Sequence, residues 1–365
     1  MKVKNIIVTV SFLLILFGGM LINLILPDEM YSNSERRKLQ QRPSYSYEAL
    51  MNGSLFEEFE NYSLDQFAFR DFFRKIKAMS NYYVFGQKDN NDIYIIDGNI
   101  NKLDYPLNEK AVSYVVDKIN TLYKTYLEGK DVSFAIIPDK NYFLAKKHGY
   151  LALDYEKMEA IMKESLIELT YINLFDQLTI DDYYRTDLHW RQEKIIKLAD
   201  HILAEMGNVE KASEGEYTIN KYQPFYGSYY GQSALELKAD TLVYLTSDFI
   251  EKAVVTDYEE KKQIDLYQVN QLGGMDSYDV FLAGAKALIT IESPENKSGK
   301  ELILFRDSFG SSIAPLLLTS YAKITLVDLR YISTELLENY IDFTKDSDVL
   351  FLYNTQVLNH GYMLK

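Results

Sequence analysis

The chain has 365 residues, a formal net charge of -14 at pH 7 and no cysteine. The lack of cysteine excludes disulfides, thiolate metal sites and a thiol nucleophile. Because the charge is strongly negative and no stripe of lysine and arginine stands out, we expect no nucleic-acid partner. Tyrosine is abundant, with 31 residues against one tryptophan, but this alone does not indicate a carbohydrate ligand.

The first element is an almost unbroken apolar run over residues 5–26. Its length is roughly the 20 residues that a helix needs to cross a hydrocarbon core. Two lysines precede the run and two acidic residues follow it, so the positive-inside bias predicts a cytoplasmic N-terminus and an extracytoplasmic remainder. A cleaved signal peptide would end in small residues, which are missing here. We therefore predict a transmembrane anchor over residues 1–27.

Residues 28–85 are predicted as a juxtamembrane tether followed by docking helices. The tether, over residues 28–46, is polar and includes Asn33 and the charged run from Glu35 through Arg36 to Lys38. Over residues 47–83, apolar and aromatic positions recur every three or four residues, which favours amphipathic helices. We expect these helices to dock on the main domain.

From residue 86 onward the pattern alternates between strands and helices. Strands are expected over residues 93–98, 132–138 and 171–174, and helices over residues 109–128 and 158–169. Such alternation predicts an α/β domain, over residues 86–365, with a mainly parallel sheet covered on both faces.

The second half of this domain continues the pattern after one interruption. A helix is expected over residues 195–206, and the Tyr- and Gly-rich stretch over residues 208–278 is interpreted as an insertion beside the site. Four further strands are expected over residues 287–292, 302–305, 324–327 and 349–353. Helices are predicted to begin near Ser312 and Ser333.

Two short blocks carry the candidate chemistry, residues 185–190 (Arg-Thr-Asp-Leu-His-Trp) and residues 305–310 (Phe-Arg-Asp-Ser-Phe-Gly). They supply an acid, Asp187, an imidazole, His189, and a hydroxyl, Ser308, which are the groups that activate a serine nucleophile. Ser308 follows a hydrophobic strand, at the sheet edge where ligand sites gather. Backbone N-H groups at the following helix start could stabilise an oxyanion. Pro315 is expected within the first turn of that helix, which keeps residues 308–312 non-helical.

Structural interpretations of the same residues stay open. Asp187 could cap the following helix, Ser311 or Ser312 could cap the helix after Ser308, and His189 could be a hydrogen-bonded structural histidine. Asp307 competes for the acid role, although its position beside Ser308 favours a side chain pointing elsewhere. Asp187 and His189 could also be metal ligands, but the sequence offers no third ligand at the usual spacing, so no metal site is predicted.

The two blocks, with Asp-Leu-His-Trp at residues 187–190 and Arg-Asp-Ser-Phe at residues 306–309, resemble the DHHW family of bacterial envelope proteins. That family is similar to the SGNH-hydrolase-like O-acetyltransferases of alginate and related exopolysaccharides. Further segments also resemble the family, namely residues 34–39, 59–71, 137–142 and 278–284. Two departures are that Leu188 replaces the first histidine of the motif and Arg306 stands where an ordinary SGNH block has glycine.

The resemblance implies an SGNH-hydrolase-like three-layer sandwich in which Ser308 is the nucleophile, His189 the general base and Asp187 the acid that orients it. It also implies an O-acetyltransferase that needs no metal or diffusible cofactor, acts on a polysaccharide and receives acetyl from a membrane-bound O-acyltransferase. Arg306, Lys140 and Tyr142 are polar candidates for oxyanion or substrate contacts near strand ends.

Two other functions remain open at this stage. With water as acceptor, the same three residues would make a carbohydrate acetyl esterase. The chain could also be a non-catalytic glycan-binding scaffold, since a fold does not guarantee an activity.

Overall fold

The computed structural model describes residues 2–32, 34–35 and 37–365. Met1 of the predicted anchor, and Asn33 and Arg36 of the predicted tether, lie outside the described residues. The chain divides into two compact units: the first consists of residues 1–91 and 230–236, and the second of residues 92–229 and 237–365.

The first unit is mainly helical. Its elements are α1 (Lys2–Ile25), β1 (Tyr31–Ser32), β2 (Arg37–Lys38), α2 (Tyr47–Met51), α3 (Ser54–Asp65), α4 (Arg70–Met79) and a π-helical turn (Ser80–Val84). Within α1, the part Val3–Ile25 is long and apolar enough to cross a membrane. The predicted amphipathic helices are present in the structure. However, most of their apolar side chains are exposed, and Leu55 and Ala78 are the buried ones within α3 and α4.

An eight-stranded sheet forms the centre of the second unit. Its strands are β5 (Val132–Ile137), β6 (Thr170–Ile172), β9 (Val254–Asp257), β10 (Lys262–Ile264), β11 (Leu288–Glu292), β12 (Glu301–Arg306), β13 (Lys323–Val327) and β14 (Asp348–Asn354). They lie in the order β10-β9-β11-β13-β12-β14-β5-β6. The five strands from β13 to β6 are parallel, while β11, β9 and β10 join by antiparallel pairing. The mainly parallel sheet is therefore confirmed.

Two hairpins and seven helices complete the second unit, with a further helix, α9, at its boundary. The hairpins are β3 (Ile93–Ile96) with β4 (Asn99–Lys102), and β7 (Thr218–Phe225) with β8 (Asp240–Thr246). The helices are α5 (Glu109–Leu122), α6 (Lys140–Leu144), α7 (Tyr155–Ser165), α8 (Ile196–Glu205), α9 (Ser228–Ser233), α10 (Asp248–Glu251), α11 (Phe309–Leu317) and α12 (Thr355–Asn359).

Alternation along the central strands produces three layers. In β12, Leu302 and Leu304 belong to one apolar cluster, which includes residues of α8 and α11. Ile303 and Phe305 belong to a second cluster, which includes residues of α5 and α7. Because successive side chains of a strand point to opposite faces, each face of the sheet buries its own helical layer. The predicted three-layer α/β architecture is thus present.

Two local predictions differ from the structure. The predicted insertion over residues 208–278 is not one separate block, because β9 and β10 within it extend the main sheet. The helix after Ser308 was expected to begin near Ser312, but α11 begins at Phe309 and Pro315 lies inside it. Pro315 removes one N-H donor from the helix and its ring crowds the carbonyl of the preceding turn, and burial of every residue of α11 offsets this cost. Neither Ser311 nor Ser312 is a helix cap.

Candidate active site

Ser308 lies at the carboxyl end of β12, the strand flanked on both sides by parallel neighbours. It is the residue that precedes α11, and its side chain is partly exposed. Gly310 allows this tight strand-to-helix turn, because a Cβ at that position would lie 2.6 Å from the Cβ of Arg306. The close approach fixes where the Ser308 hydroxyl emerges from the sheet.

Asp187 and His189 lie on a closed loop rather than at a helix start. The loop is closed by an antiparallel bridge between Tyr183 and Trp190 and by the Tyr184 N-H, which donates to the carbonyl oxygen of His189 at 3.0 Å. A 3-10 turn, Gln192–Lys194, separates the loop from α8. Asp187 is therefore not the cap of that helix.

The structure brings the three predicted residues, Ser308, His189 and Asp187, into one hydrogen-bonded chain, which we call the triad. The Ser308 Oγ lies 2.7 Å from Nε2 of His189, and Nδ1 of His189 lies 2.5 Å from Oδ1 of Asp187. This geometry fits a neutral imidazole that donates from Nδ1 to the carboxylate and accepts the serine proton at Nε2. Asp187 and His189 are buried, whereas Ser308 is partly exposed, so its side of this chain is the one that a ligand could reach.

Both oxygens of Asp187 are held by backbone N-H groups. Oδ1 accepts from the His189 N-H at 2.9 Å, and Oδ2 accepts from the Ser228 N-H at 2.6 Å. Gly227 packs directly against this residue, since a Cβ there would lie 2.1 Å from the Cβ of Asp187. A carboxylate with this many donors stays oriented toward the imidazole.

The neighbouring Thr186 ties the loop to the β7–β8 hairpin. Its hydroxyl donates to Oδ2 of Asp240 at 2.6 Å and accepts from the Gly227 N-H at 2.9 Å. Asp240 also accepts from the backbone N-H groups of Thr186 and Arg185. Asp240 therefore positions the loop that carries Asp187 without contacting the catalytic candidates directly.

Lys140 lies beneath the same loop. Its ammonium, which has three N-H donors, lies within hydrogen-bond distance of four carbonyl oxygens, those of Ile100, Tyr184, Arg185 and Asp187, at 2.6 to 3.2 Å. Burial lowers the pKa of Lys140 to about 7, while the carboxylates of Asp187 and Asp240 oppose that shift. Because the side chain is buried and its donors face backbone carbonyls, its position favours a role in holding the loop rather than the predicted substrate contact.

The imidazole of His189 also rests on an aromatic ring. It stacks on Tyr278, whose hydroxyl donates to Oγ of Ser312 at 2.8 Å. The indole N-H of Trp190 donates to the same oxygen, also at 2.8 Å. Ser312 thus joins the loop of His189 to α11, the helix that follows Ser308.

Asp307 connects two strand ends instead of acting on the imidazole. Its carboxylate accepts from the N-H groups of Phe309 at 2.9 Å and Asn354 at 2.7 Å, and burial raises its pKa. The Gly310 N-H is engaged as well, by the carbonyl oxygen of Asp307. The N-H groups of Phe309 and Gly310 are therefore both used within the turn that follows Ser308.

Arg306 and Tyr142 make contacts other than the predicted ones. The Arg306 guanidinium is fully buried, 3.6 Å from Asp328, and burial lowers its pKa. Tyr142 packs edge-on against the rings of Phe143, Tyr155 and Phe175. Neither set of contacts includes a triad residue, and a buried guanidinium cannot touch a substrate in this conformation.

Sequence reasoning missed four supporting residues: Gly227, Asp240, Tyr278 and Ser312. Tyr278 lies in one of the segments that carry the family resemblance, which is the signal that could have found it. Gly227 begins a Gly-Ser-Tyr-Tyr-Gly stretch, and a glycine in such a turn is a candidate for close backbone approach. Among the described residues, no group of three or more His, Asp or Glu side chains is arranged to hold a metal ion.

Comparison with known proteins assigns the family. The family model described as DHHW protein matches residues 146–327, a span that includes Asp187, His189 and Ser308. The chain belongs to the DHHW family. A comparison with curated protein sequences finds no match. In this DHHW protein the motif reads Asp-Leu-His-Trp, and Leu188 makes none of the triad hydrogen bonds.

Solved structures share the fold of this DHHW protein. A DHHW family protein from Eubacterium siraeum is 20% identical, with a TM-score of 0.57 over 74% of this chain and 93% of that one. Bacillus cereus PatB1 is 19% identical, with a TM-score of 0.60 over 74% of this chain and 97% of that one. PatB1 with a sulfonyl adduct is likewise 19% identical and gives a TM-score of 0.58, over 73% of this chain and 95% of that one. These likenesses confirm the predicted fold class.

Proposed function

We propose that this chain is an O-acetyltransferase that moves acetyl groups to hydroxyls of an envelope or secreted polysaccharide through an acyl-Ser308 intermediate. The observation that carries the proposal is the unbroken hydrogen-bonded chain from Ser308 through His189 to Asp187 at a partly exposed strand end. Membership of the DHHW family, and the resemblance of that family to exopolysaccharide O-acetyltransferases, support acetyl as the group that is moved.

In the first half-reaction, Nε2 of His189 takes the proton of Ser308 while Oγ attacks the acetyl carbonyl carbon of the donor ester. The N-H of Ser308, at the start of α11, is the proposed donor to the negative charge that forms on the carbonyl oxygen. When the tetrahedral intermediate collapses, the donor alkoxide leaves with the proton from His189. The acetyl group then remains on Ser308.

In the second half-reaction, His189 removes the proton of a sugar hydroxyl, whose oxygen attacks the acetyl-serine carbonyl. The acetylated sugar leaves and the proton returns to the Ser308 oxygen. Asp187 keeps its negative charge throughout, holds the imidazole in the required tautomer and stabilises the imidazolium. The two half-reactions together move one acetyl group and consume no cofactor.

Location and donor belong to the same proposal. We infer that α1 spans the membrane with the N-terminus in the cytoplasm, which leaves Ser308 on the extracytoplasmic side. Acetyl-coenzyme A is cytoplasmic, so a membrane-bound O-acyltransferase is the proposed source of acetyl groups. The acceptor is a polysaccharide that is accessible outside the membrane.

The deciding experiment uses the full chain with an acetyl-ester donor and candidate glycans, with acetylated product and free acetate measured separately. Ser308→Ala should abolish both acetyl transfer and donor hydrolysis. Ser311→Ala is the matched control, because Ser311 is a buried serine in α11, the helix that follows Ser308, and its hydroxyl makes no hydrogen bond within the described residues. That control should retain activity.

Each outcome discriminates between the candidate functions. Acetylated glycan that depends on Ser308 supports the transferase. Free acetate alone, whichever glycan is supplied, identifies an esterase that uses the same three residues. Glycan binding with no turnover in the unmodified chain identifies a scaffold. Turnover that survives in Ser308→Ala requires another nucleophile.

A further inference from the structure

The helix α4 of the first unit is amphipathic, and its apolar side is turned to solvent. Phe72, Phe73, Ile76 and Met79 recur at helical spacing and are 59, 50, 43 and 44% exposed. A soluble unit normally turns such a stripe toward its core. The orientation of this helix therefore needs an explanation outside the protein interior.

The charged side of α4 faces inward. Arg70 and Arg74 lie on the opposite side of the helix from Phe72, and their side chains are only 22 and 20% exposed. Both pair with Glu35, and Arg74 also donates to the carbonyl oxygen of Gly231 in the same unit. Burial raises the pKa of Glu35, but the three arginines Arg37, Arg70 and Arg74 outweigh that effect and the pKa is lowered. The carboxylate therefore stays charged and the helix keeps this orientation.

The exposed apolar surface continues toward α1. The ring of Phe73 lies 5.7 Å from those of Phe67 and Phe72. Phe67 and Phe59 then line a cavity of about 910 Å³ whose other walls include Leu16 and Met20 of α1. We call Phe59, Phe67, Phe72, Phe73, Ile76 and Met79 the aromatic face; each is between 43 and 59% exposed.

A hydrogen bond joins the same two regions. The Ala68 N-H, in the bend between α3 and α4, donates to Oδ1 of Asn23 near the end of α1 at 2.7 Å. The aromatic face is thus anchored beside the point where the apolar helix ends. Wherever α1 lies in a bilayer, the aromatic face must lie close to the lipid-water boundary.

We propose that the aromatic face lies in the interfacial layer of the lipid membrane, as a second attachment beside α1. Aromatic side chains are favoured at this depth, and amphipathic helices bury their apolar side there. Because Arg70 and Arg74 are used in ion pairs with Glu35, apolar burial drives the attachment and anionic lipid is not required. This proposal concerns only the attachment of the first unit to the membrane, and it does not depend on acetyl transfer.

The lack of cysteine makes the test direct, since single cysteines can carry a nitroxide label. Full-length Phe72→Cys and Ile76→Cys are labelled and placed in phosphatidylcholine nanodiscs. Electron paramagnetic resonance then gives the ratio of collision with oxygen to collision with a water-soluble nickel chelate. Leu14→Cys in α1 serves as the lipid reference, and Lys163→Cys on the second unit serves as the aqueous reference.

We expect the oxygen-to-nickel ratio at positions 72 and 76 to be severalfold higher than at position 163. A label at Lys77, on the flank of the same helix, should give a lower ratio than the labels at positions 72 and 76. A ratio equal to that at position 163 overturns the proposal, because the face would then lie in water. Low collision with both reagents also overturns it, because a protein would then cover the face. The label at position 14 tests the anchor separately, and neither result bears on Ser308 chemistry.

Discussion

The imidazole of His189 lies parallel to the ring of Tyr278, with centroids 3.8 Å apart and planes 5° from parallel. An imidazolium forms at this position each time the proposed base takes a proton. The face of an aromatic ring attracts a cation, and the attraction is stronger where water is excluded. Tyr278 therefore fixes the orientation of the proposed base, and its ring lies where it can stabilise the imidazolium of the transition state.

Replacing Tyr278 with leucine should lower kcat about tenfold and leave KM within about twofold. The variant loses the attraction between the ring and the imidazolium, about 1–1.5 kcal/mol, which stabilises the charged transition state more than the bound substrate. Tyr278→Phe keeps the stacked ring and should retain most of the activity. Steady-state kinetics of acetyl transfer check both values. Equal losses in the two variants would indicate that the hydroxyl, rather than the ring, matters.

The predictable parts of this site follow from local chemistry. Apolar runs of strand length define β5, β12 and β14, and the acid, imidazole and hydroxyl are recognisable at their positions beside predicted elements. Tyr278, Ser312 and Gly227 could not be assigned in this way, because their roles depend on contacts with residues 34 to 122 positions away in the chain.

Local sequence patterns also could not predict what surrounds the apolar side of a helix or how deeply a helix is buried. The spacing of Phe72, Ile76 and Met79 indicates an apolar helix side, but not whether protein or another medium covers it. For Pro315, propensity predicts a position in the first turn of a helix, and burial of the whole of α11 overrides that preference.

Ser312 and Ser311 are adjacent, yet replacing them with alanine should change the free energy of unfolding by different amounts. Ser312→Ala leaves the Trp190 indole N-H and the Tyr278 hydroxyl without their buried acceptor, so the free energy of unfolding should fall by about 2–4 kcal/mol. Ser311→Ala removes a buried hydroxyl that makes no hydrogen bond within the described residues, so it should change stability by less than about 0.5 kcal/mol. Urea unfolding followed by Trp190 fluorescence measures both. Similar losses in the two variants would contradict the assignment of Ser312 as the shared acceptor.

Gly227 should be essential for activity because its backbone packs on Asp187. In Gly227→Ala the new Cβ would lie 2.1 Å from the Cβ of Asp187, so the carboxylate must shift and the Ser228 N-H contact weakens. We expect a loss of about 100-fold in kcat, together with about 1–3 kcal/mol of stability.

The matched control for Gly227 is Gly361→Ala. Its Cβ would lie 2.3 Å from Cγ2 of Val115, a comparable clash that involves no triad residue. Its melting temperature should fall similarly, while kcat per folded molecule stays near the unmodified value. If both variants lose kcat to the same extent, the effect of Gly227 is a general loss of packing rather than displacement of Asp187.

Lys140 should make stability depend on pH in a defined window. Burial lowers its folded-state pKa to about 7 from the ordinary 10.5, so between these values the unfolded chain binds more protons than the folded one. Stability contributed by this group is therefore lowest below about pH 7 and rises toward pH 10.5, by up to about 1.4 kcal/mol per pH unit. Lys140→Met removes the titrating group, and urea unfolding at pH 6.5, 8 and 9.5 should show the unmodified chain gaining stability relative to the variant as pH rises. Lys163→Met controls for loss of an exposed lysine. Parallel curves for the unmodified chain and Lys140→Met would contradict the lowered pKa of the buried Lys140.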